Sequence, residues 1–232
     1  MPRIHAVVSP HLDDAALSCS LLLAANPGSS ITTVFSGGPS AVRPLPPWDK
    51  AARYFAPGSD VMGERRREDA DGAALIRAST VHLGYWDRQY RSESYGYRGP
   101  EDGDLESAIA ADLIARAAAG PGSWVIPLGL GHPDHRMAAA AGLLLAEHLE
   151  ADIYVYEELP YAAENADELA SRKRELRQRG FALEPADAVE IGQDRALKRR
   201  VIACHASQRR SLRRRIKVAV RAQERVWVLT KR

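Results

Sequence analysis

A chain of 232 residues is long enough for one compact domain with a substantial core. Hydrophobic residues make up 45% of it and charged residues 27%, and the net charge of +2 gives no strong overall polarity. Cys19 and Cys204 are expected to be small, separate thiols rather than a disulfide or a metal site. No apolar run is long enough to cross a bilayer, and the first residues lack a secretory leader pattern, so we expect a cytoplasmic protein.

Apolar runs alternate with helical patterns along the chain. The pattern predicts strands at Ile4–Val8, Ile31–Phe35, Thr80–Leu83, Trp124–Leu128 and Ile153–Tyr156. It predicts helices at Asp13–Ala25, Val61–Arg77, Leu105–Ala118, Arg136–Leu149 and Ala166–Arg179. The tail from Arg195 is predicted to be helical at first and to end in an apolar alternation at Val226–Leu229.

Long loops are predicted at 37–58 and 88–103, where prolines, glycines and tyrosines accumulate, and loops of this length are often functional. Strands separated by helices predict an α/β, Rossmann-like fold: a mostly parallel sheet covered by helices on both faces, in a single domain over 1–232. The first strand is not followed by the glycine fingerprint of a dinucleotide site.

Two polar clusters each follow a predicted strand. His11-Leu12-Asp13-Asp14 comes after the first strand, and His132-Pro133-Asp134-His135 comes after Trp124–Leu128. In an open α/β sheet, ligands bind beyond the carboxyl ends of the strands. Two imidazoles and a carboxylate there can form a three-ligand zinc site with one coordination position left for water. The remaining acid and histidine would be free to transfer protons, so the pattern predicts metal-assisted hydrolysis.

Each cluster also has a purely structural interpretation. Asp13 and Asp14 could be acids in the first turn of a helix, where the helix dipole favours negative charge. Asp134 could be an N-cap. A single histidine at such a position is usually on the surface or satisfied in the core. The coincidence of both clusters with predicted strand ends favours a site.

These motifs resemble those of the PIG-L/LmbE-like family of zinc-dependent N-deacetylases. The similarity lies in the strand followed by His-x-Asp-Asp and in the later Gly-His-Pro-Asp-His, and it runs over most of the chain. Weaker similarities are found at Arg65–Glu68, Leu83–Asp87, Tyr156–Tyr161 and Ser207-Gln208. The family usually has His-Pro-Asp-Asp-Glu in the first motif, where this chain has Leu12 and Ala15. Leu12 removes no ligand, whereas Ala15 removes a side chain that could support one.

The resemblance implies three ligands for one zinc ion, with another divalent metal as the alternative: His11, Asp14 and His135. It implies that Asp13 is the general base. His132 would steady the oxyanion or protonate the leaving amine, and Asp134 would orient His132.

The resemblance also implies the substrate class. Arg65 and Asp87 match positions that hold sugar hydroxyls in the family, although Arg66 or Arg67 could point inward instead of Arg65. The implied reaction removes an N-acetyl (N-acyl) group from a small molecule or glycoconjugate that contains an amino sugar. Aromatic residues of the predicted loops could stack on a sugar or pack locally: Trp48, Tyr85, Trp86, Tyr95 and Tyr97.

The carboxyl-terminal segment, about 195–232, is strongly basic. Its cationic runs are Lys198–Arg200, Arg209-Arg210 and Arg213–Lys217. We expect a solvated helix, with contact to a membrane surface as the alternative. Binding of nucleic acid is not favoured, because the runs are interrupted and lack interleaved aromatic residues.

The sequence leaves two other functions open besides that of a sugar deacetylase. One is a zinc hydrolase that acts on a non-sugar amide. The other is a catalytically degenerate binding protein with a basic surface, which the retention of both histidines and both aspartates argues against. The sequence does not indicate the oligomeric state.

Overall fold

The structure is a computed structural model that describes residues 3–118, 120 and 122–231. The strands are β1 (Ile4–Ser9), β2 (Ser30–Thr33), β3 (Ser79–His82), β4 (Ser123–Pro127), β5 (Ile153–Tyr156), β6 (Phe181–Pro185) and β7 (Val226–Lys231). The helices are α1 (Asp14–Ser18), α2 (Ser20–Ala25), α3 (Pro47–Ala52), α4 (Val61–Leu75), α5 (Asp102–Ala117), α6 (Pro133–His148), α7 (Tyr161–Glu164), α8 (Ala166–Gln178), α9 (Arg195–Cys204), α10 (Ala206–Leu212) and α11 (Arg214–Arg221).

The strands of the described residues form one sheet in the order β3-β2-β1-β4-β5-β7-β6. The first five strands in this order are parallel, and β7 runs antiparallel to both β5 and β6. The order 3-2-1-4-5 is that of a doubly wound sheet, in which the chain first builds to one side of β1 and then to the other. The predicted α/β, Rossmann-like, mostly parallel fold is therefore confirmed.

Helices cover both faces of the sheet, as the continuous apolar runs of the strands require. On β1, the side chains of Ala6 and Val8 join a core that includes residues of α5 and α6. Val7, which points the other way, joins a second core with residues of α1, α2, α4 and α9. Because side chains alternate along a strand, one short strand supplies both cores.

Strand β6 was not predicted. Its apolar residues span only Phe181–Leu183, and Glu184 and Pro185 then break the strand pattern. Proline is tolerated because β6 lies at the edge of the sheet, where a missing N–H leaves no neighbour unpaired. Its partner β7 coincides with the predicted alternation near the end of the chain.

The single helix predicted over Asp13–Ala25 is divided at Cys19, whose φ of −134° is not helical. Because the helix is interrupted at Cys19, backbone N–H groups at the start of α2 lack an acceptor within the helix. Leu21 and Leu22 donate theirs to the carboxylate of Glu224, at 3.0–3.1 Å. Sequence patterns near Cys19 could not show a partner that lies two hundred residues further along.

The two long loops also contain short helical elements that the sequence did not predict. The first contains α3, and the second contains short 3₁₀ turns at Arg88–Tyr90 and Glu93–Tyr95. Helix α6 begins at Pro133, three residues before the predicted start, because proline suits the first turn of a helix and His132 caps it.

The basic carboxyl-terminal segment is part of the core rather than an added tail. Strand β7 lies between β5 and β6, and Lys198 of α9 is fully buried. The ammonium group of Lys198 lies 2.8 Å from Glu224 Oε1. The expectation of a solvated helix is therefore wrong for Lys198, because a buried carboxylate needs a cationic partner. Within the described residues, no helix combines the length and the apolar character needed to cross a membrane.

Replacement of Lys198 by methionine is expected to lower the free energy of unfolding by about 3–5 kcal/mol, because it leaves Glu224 buried without its counter-charge. Urea denaturation followed by circular dichroism measures the change. Arg199→Met is the matched control: Arg199 is the exposed neighbour on the same helix, and we expect a change within about 0.5 kcal/mol. Equal stabilities of the two variants would contradict this role of the ion pair.

Candidate active site

The two histidine clusters meet at the carboxyl ends of two neighbouring strands. β1 pairs with β4, and the strand order reverses between them, which is where doubly wound sheets open a crevice. The His11 ring lies 5.0 Å from the His132 ring and 5.3 Å from the His135 ring, measured between centroids. The tertiary structure thus makes one site from two distant stretches of sequence.

Short-range contacts hold each cluster in place. Ser9 Oγ donates to the carbonyl of His11 at 2.7 Å and accepts the N–H of Ala15 at 3.1 Å, which fixes the turn between β1 and α1. The turn before α6 contains Gly131, whose φ is +75°. A Cβ at this glycine would lie 1.9 Å from the ring of Tyr161, so a larger residue would displace that wall of the site.

One set of side chains has the arrangement of a metal site. Ligand atoms of His11, Asp14 and His135 lie within 4.8 Å of one another. His11 Nδ1 is 3.2 Å and His135 Nε2 is 3.1 Å from the same oxygen, Asp14 Oδ2. Two imidazole nitrogens and a carboxylate oxygen around one point are a donor set that suits zinc and similar divalent ions.

A second set of possible metal ligands consists of His11, His132 and Asp134. Their ligand atoms also lie within 4.8 Å of one another. Its carboxylate is already engaged. Asp134 is fully buried, and it accepts from His11 Nε2, from the N–H of Arg88 and from the guanidinium of Arg91. Asp14 and His135 instead line the open pocket. The set that contains them is therefore the better metal site.

The charges of the site fit a bound cation. Burial opposes a positive charge on the imidazoles, but the carboxylates outweigh it: Asp134 and Asp14 raise the pKa of His11 well above its usual value, and Asp14 raises that of His135 to about 9. Although burial acts against it, His135 and His11 lower the pKa of Asp14. The site thus stabilises positive charge between the two histidines, where a divalent ion would supply it.

The far nitrogen of each of these histidines faces a carboxylate. His11 Nε2 lies 3.1 Å from Asp134 Oδ2, and His135 Nδ1 lies 3.5 Å from Glu158 Oε1. Among the residues that the structure describes, His135 Nδ1 has no hydrogen-bond partner, although it is buried. A metal on Nε2 would place the proton of His135 on Nδ1, directed at Glu158. Histidines that ligate metals are typically held by a carboxylate in this way.

Asp134 therefore does not have the contact expected of it. The resemblance implied that it orients His132, but its carboxylate bonds His11 instead. Only its backbone N–H reaches His132, donating to Nδ1 at 3.2 Å. The reason is the geometry of the helix start. His132 is the N-cap, and its ring accepts the N–H of Asp134, while the Asp134 carboxylate contacts His11 and Arg91.

The two residues with implied proton-transfer roles both line the pocket. Burial and the adjacent Asp14 raise the pKa of Asp13 to about 6. Burial and the positive charge of His11 lower the pKa of His132 to about 4. Because His132 Nδ1 accepts the cap bond from Asp134, the neutral ring carries its proton on Nε2. His132 can then donate a hydrogen bond from Nε2 while uncharged.

Of the three consecutive arginines on α4, Arg65 lines the pocket. Arg66 donates to the carbonyl of Ser36, and Arg67 is exposed. The guanidinium of Arg65 is 97% buried and pairs with Asp49 on α3, at 2.5 Å. Arg65 therefore fixes the loop as well as facing the site, and its removal would leave Asp49 buried without a counter-charge.

Asp87 also lines the pocket, where it caps the short 3₁₀ turn by accepting from the N–H of Gln89 at 3.0 Å. Among the loop aromatics, Trp48 lines the pocket and keeps 39% of its surface exposed. Trp86 instead packs against Tyr97, with ring centroids 5.5 Å apart. Trp86 and Tyr97 therefore pack locally, whereas Trp48 is placed where it could meet a ligand.

The pocket is also lined by residues for which the sequence indicated no role. They are Leu17, Gln89, Pro160, Tyr161, Gln208 and Leu212. Tyr161 follows β5, a parallel strand beside β4, so the rule that placed the two histidine clusters could have found it. Gln208 and Leu212 come from α10. The weak family similarity at Ser207-Gln208 could have indicated the first of them, whereas no local pattern indicates Leu212.

Glu158 lies within the stretch Tyr156–Tyr161 that weakly resembles the family, but the sequence indicated no role for it. It is fully buried and accepts backbone N–H groups from Leu128, Gly129 and Leu130, at 2.7–3.1 Å. These residues join β4 to α6, so one carboxylate shapes the loop that leads to His135 and also faces the ring of His135. Its neighbour Glu157 points away, to Lys173 and Trp227.

Glu158→Gln is expected to weaken binding of a divalent ion by about 10–100-fold, because the residue behind a ligating histidine orients it and increases its basicity. Competition with a chromophoric chelator, with Zn²⁺ as the probe, measures the affinity. Glu157→Gln is the matched control, since it makes the same change one residue away and leaves the site contacts in place. Equal affinities in the two variants would show that Glu158 serves the loop alone.

Comparison with known proteins finds relatives among deacetylases, although no family model matches the chain. A 2′-N-acetylparomamine deacetylase from Niallia circulans is 28% identical over an alignment of 223 residues, which covers 82% of this chain and 78% of the relative. A protein of the same name from Streptomyces fradiae is 30% identical over 197 residues, covering 80% of this chain and 66% of the relative.

The same fold occurs in a solved deacetylase structure. The A40926 pseudoaglycone deacetylase Dbv21 matches with a TM-score of 0.76 and 25% identity, over 99% of this chain and 98% of that one. The two sequence relatives and this structural neighbour are all named deacetylases. Each of them matches most of this chain.

Proposed function

We propose that this protein is a member of the PIG-L/LmbE-like family and a metal-dependent N-deacetylase, an amidohydrolase of linear amides. The observation that carries the proposal is the pocket in which His11, Asp14 and His135 converge and Asp13 lies beside them. The relatives support the type of reaction, because they are named deacetylases and match most of this chain.

Zn²⁺ is the proposed cofactor, one ion per chain, with His11, Asp14 and His135 as its ligands. The mixed nitrogen and oxygen donors and the three-residue ligand set are those of catalytic zinc sites, which keep one position open. When bound, the metal would supply Lewis acidity for water and for the amide carbonyl.

The remaining steps belong to the protein's own side chains. Asp13 lies in the pocket with a pKa of about 6, so it is mostly ionised at neutral pH and can accept a proton from the attacking water. Protonated Asp13 can then deliver that proton to the departing nitrogen. His132, which lines the pocket and is neutral with its proton on Nε2, can donate a hydrogen bond to the developing oxyanion. A proton-donating role toward the amine suits Asp13 better than His132, because an uncharged imidazole is a very weak acid.

The proposed substrate is a small molecule or glycoconjugate that carries an N-acylated amino sugar. The relatives support this class, since two of them are named for acetylparomamine and the structural neighbour for a pseudoaglycone. The pocket offers the groups that such a substrate needs. Asp87 and Gln89 can bond to hydroxyls, and the Trp48 ring at the opening can stack on a sugar face.

The two competing functions receive less support. A degenerate binding protein would not need Asp13 in the pocket beside a complete ligand set. A zinc hydrolase of a non-sugar amide would use the same chemistry, and it differs only in what the outer pocket accepts. The cytoplasmic location and the single-domain organisation over 1–232 stay predictions.

The purified, zinc-loaded protein should release acetate and a primary amine from N-acetylated amino sugars, detected with an amine-reactive fluorophore. A panel of N-acetylated glycosides and non-sugar acetamides would distinguish the proposed function from the non-sugar alternative. Turnover of the acetamides alone would contradict the sugar class. Absence of turnover across the panel, in protein that binds metal, would favour a binding protein.

Asp13→Asn is expected to lower kcat by about 10²–10⁴-fold while the metal stays bound, because an amide cannot accept the proton of water. Steady-state kinetics and metal analysis are measured on the same preparation. His11→Ala provides the contrast, since it should lose metal and activity together. If Asp13→Asn kept a rate near that of the unaltered protein with normal metal content, another group would be the base.

Asp87→Asn is expected to raise KM for the best glycoside by about 10-fold or more with little change in kcat, since a hydrogen bond to a charged group contributes about 1.5–3 kcal/mol. Asp102→Asn removes the same charge from an exposed residue outside the pocket and should leave both constants unchanged. A fall in kcat with KM unaltered would place Asp87 in the bond-breaking step instead.

A further inference from the structure

Positive charge is concentrated in one part of this chain. The segment 195–223 contains eleven lysines and arginines and no acidic residue. Because the net charge of the whole chain is +2, the remaining residues together carry −9. Charges separated to this extent create a positive electrostatic potential around the segment, which the net charge of the whole chain does not reveal.

Most of these cations are not neutralised. Within the described residues, the lysine and arginine ion pairs of the segment are Lys198 with Glu224 and Arg215 with Glu164. Six other side chains on α10, on α11 and between them are exposed and have no carboxylate of a described residue within 4.0 Å. We call this set the cationic rim: Arg209, Arg210, Arg213, Arg214, Lys217 and Arg221. Arg210 and Arg213 bond only to backbone carbonyls, which leaves their charges uncompensated.

Exposed aromatic residues lie beside the cationic rim. Helix α10 contacts the loop that contains α3: Ser211 Oγ donates to the carbonyl of Trp48 at 3.1 Å, and Arg210 contacts the carbonyl of Arg53. Trp48 is 39% exposed and Tyr54 is 49% exposed, and both belong to the few large hydrophobic residues at the surface of the described chain.

This surface borders one side of the catalytic pocket. Trp48 and Leu212 line the pocket, and Arg213 directly follows Leu212. The backbone of α10 thus presents Gln208 and Leu212 to the site and its arginines to solvent. A partner on the cationic rim would therefore be in contact with the mouth of the site.

We propose that the cationic rim, with Trp48 and Tyr54, docks the protein on an anionic lipid surface with the pocket opening toward it. Four to eight basic residues on an amphipathic helix form the charge pattern that binds acidic lipids, each contributing through the surface potential. Tryptophan and tyrosine are enriched at membrane–water interfaces, where their rings lie at the level of the lipid headgroups. A nucleic acid fits less well, because the two aromatics are on a separate loop and do not alternate with the arginines.

Sedimentation with vesicles tests the proposal. The zinc-loaded, full-length protein should bind vesicles of phosphatidylcholine with phosphatidylserine, bind those of phosphatidylcholine alone far more weakly, and release as ionic strength rises. The triple variant Arg213→Glu, Arg214→Glu, Lys217→Glu should partition on the order of 100-fold more weakly. Brominated lipid should quench tryptophan fluorescence, and Trp48→Phe should remove most of that quenching.

A matched control separates the cationic rim from net charge. Arg174→Glu, Arg177→Glu and Arg179→Glu make the same charge change at exposed positions of α8 and the residue after it, and they should leave vesicle binding intact. Both triple variants should hydrolyse a small soluble N-acetyl glycoside at the normal rate, so loss of docking is distinguishable from loss of catalysis. The proposal is overturned by equal binding to neutral vesicles, by equal loss in the α8 control, or by binding of heparin or DNA without binding of vesicles.

Discussion

The parallel pairing of β1 with β4 is the contact on which the candidate site depends. Val7 lies opposite Val125 in this pairing, and both strands are buried on both faces. Because strands in a parallel pair end at the same edge, the residues that follow them must meet there. His11 and His135 are thereby brought to one carboxylate oxygen. Hydrophobic burial on the two faces of the sheet therefore provides the alignment that the polar site uses.

Buried carboxylates organise the structure around that contact. Asp134 and Glu158 lie behind the two histidines, and each also accepts backbone N–H groups from the loops that carry the site. Glu224 has the same function at the break between α1 and α2, with Lys198 as its counter-charge. A carboxylate away from water is costly unless donors and cations surround it. Each of these residues consequently fixes several elements at once, which makes the site rigid before any ligand binds.

The basic carboxyl-terminal segment, from Arg195 onward, completes both the sheet and the pocket. β7 enters between β5 and β6, α9 covers one face, and α10 supplies Gln208 and Leu212 to the pocket wall. The apolar and buried polar side chains of this segment hold it in place, and its unpaired cations all remain outside. One segment thus contributes to folding on its inner side and carries a strong surface charge on its outer side.

The sequence by itself determined the fold class, the five parallel strands and the two clusters that form the site. These features depend on local patterns: apolar runs of strand length, helical periodicity, and polar residues directly after a strand. The resemblance of the motifs to a known family added roles for individual residues. Asp134 shows the limit of that transfer, since its carboxylate contacts His11 rather than His132.

Only the tertiary structure decided the features that depend on contacts between distant residues. Glu158, Gln208 and the choice of Arg65 over Arg66 follow from which side chains the packed elements direct inward. The division at Cys19 depends on Glu224, and edge strand β6 depends on β7 as its partner. Local patterns report which face of an element is apolar. The partner of each polar side chain is decided when those faces pack together, because burial makes an unpaired donor or charge costly.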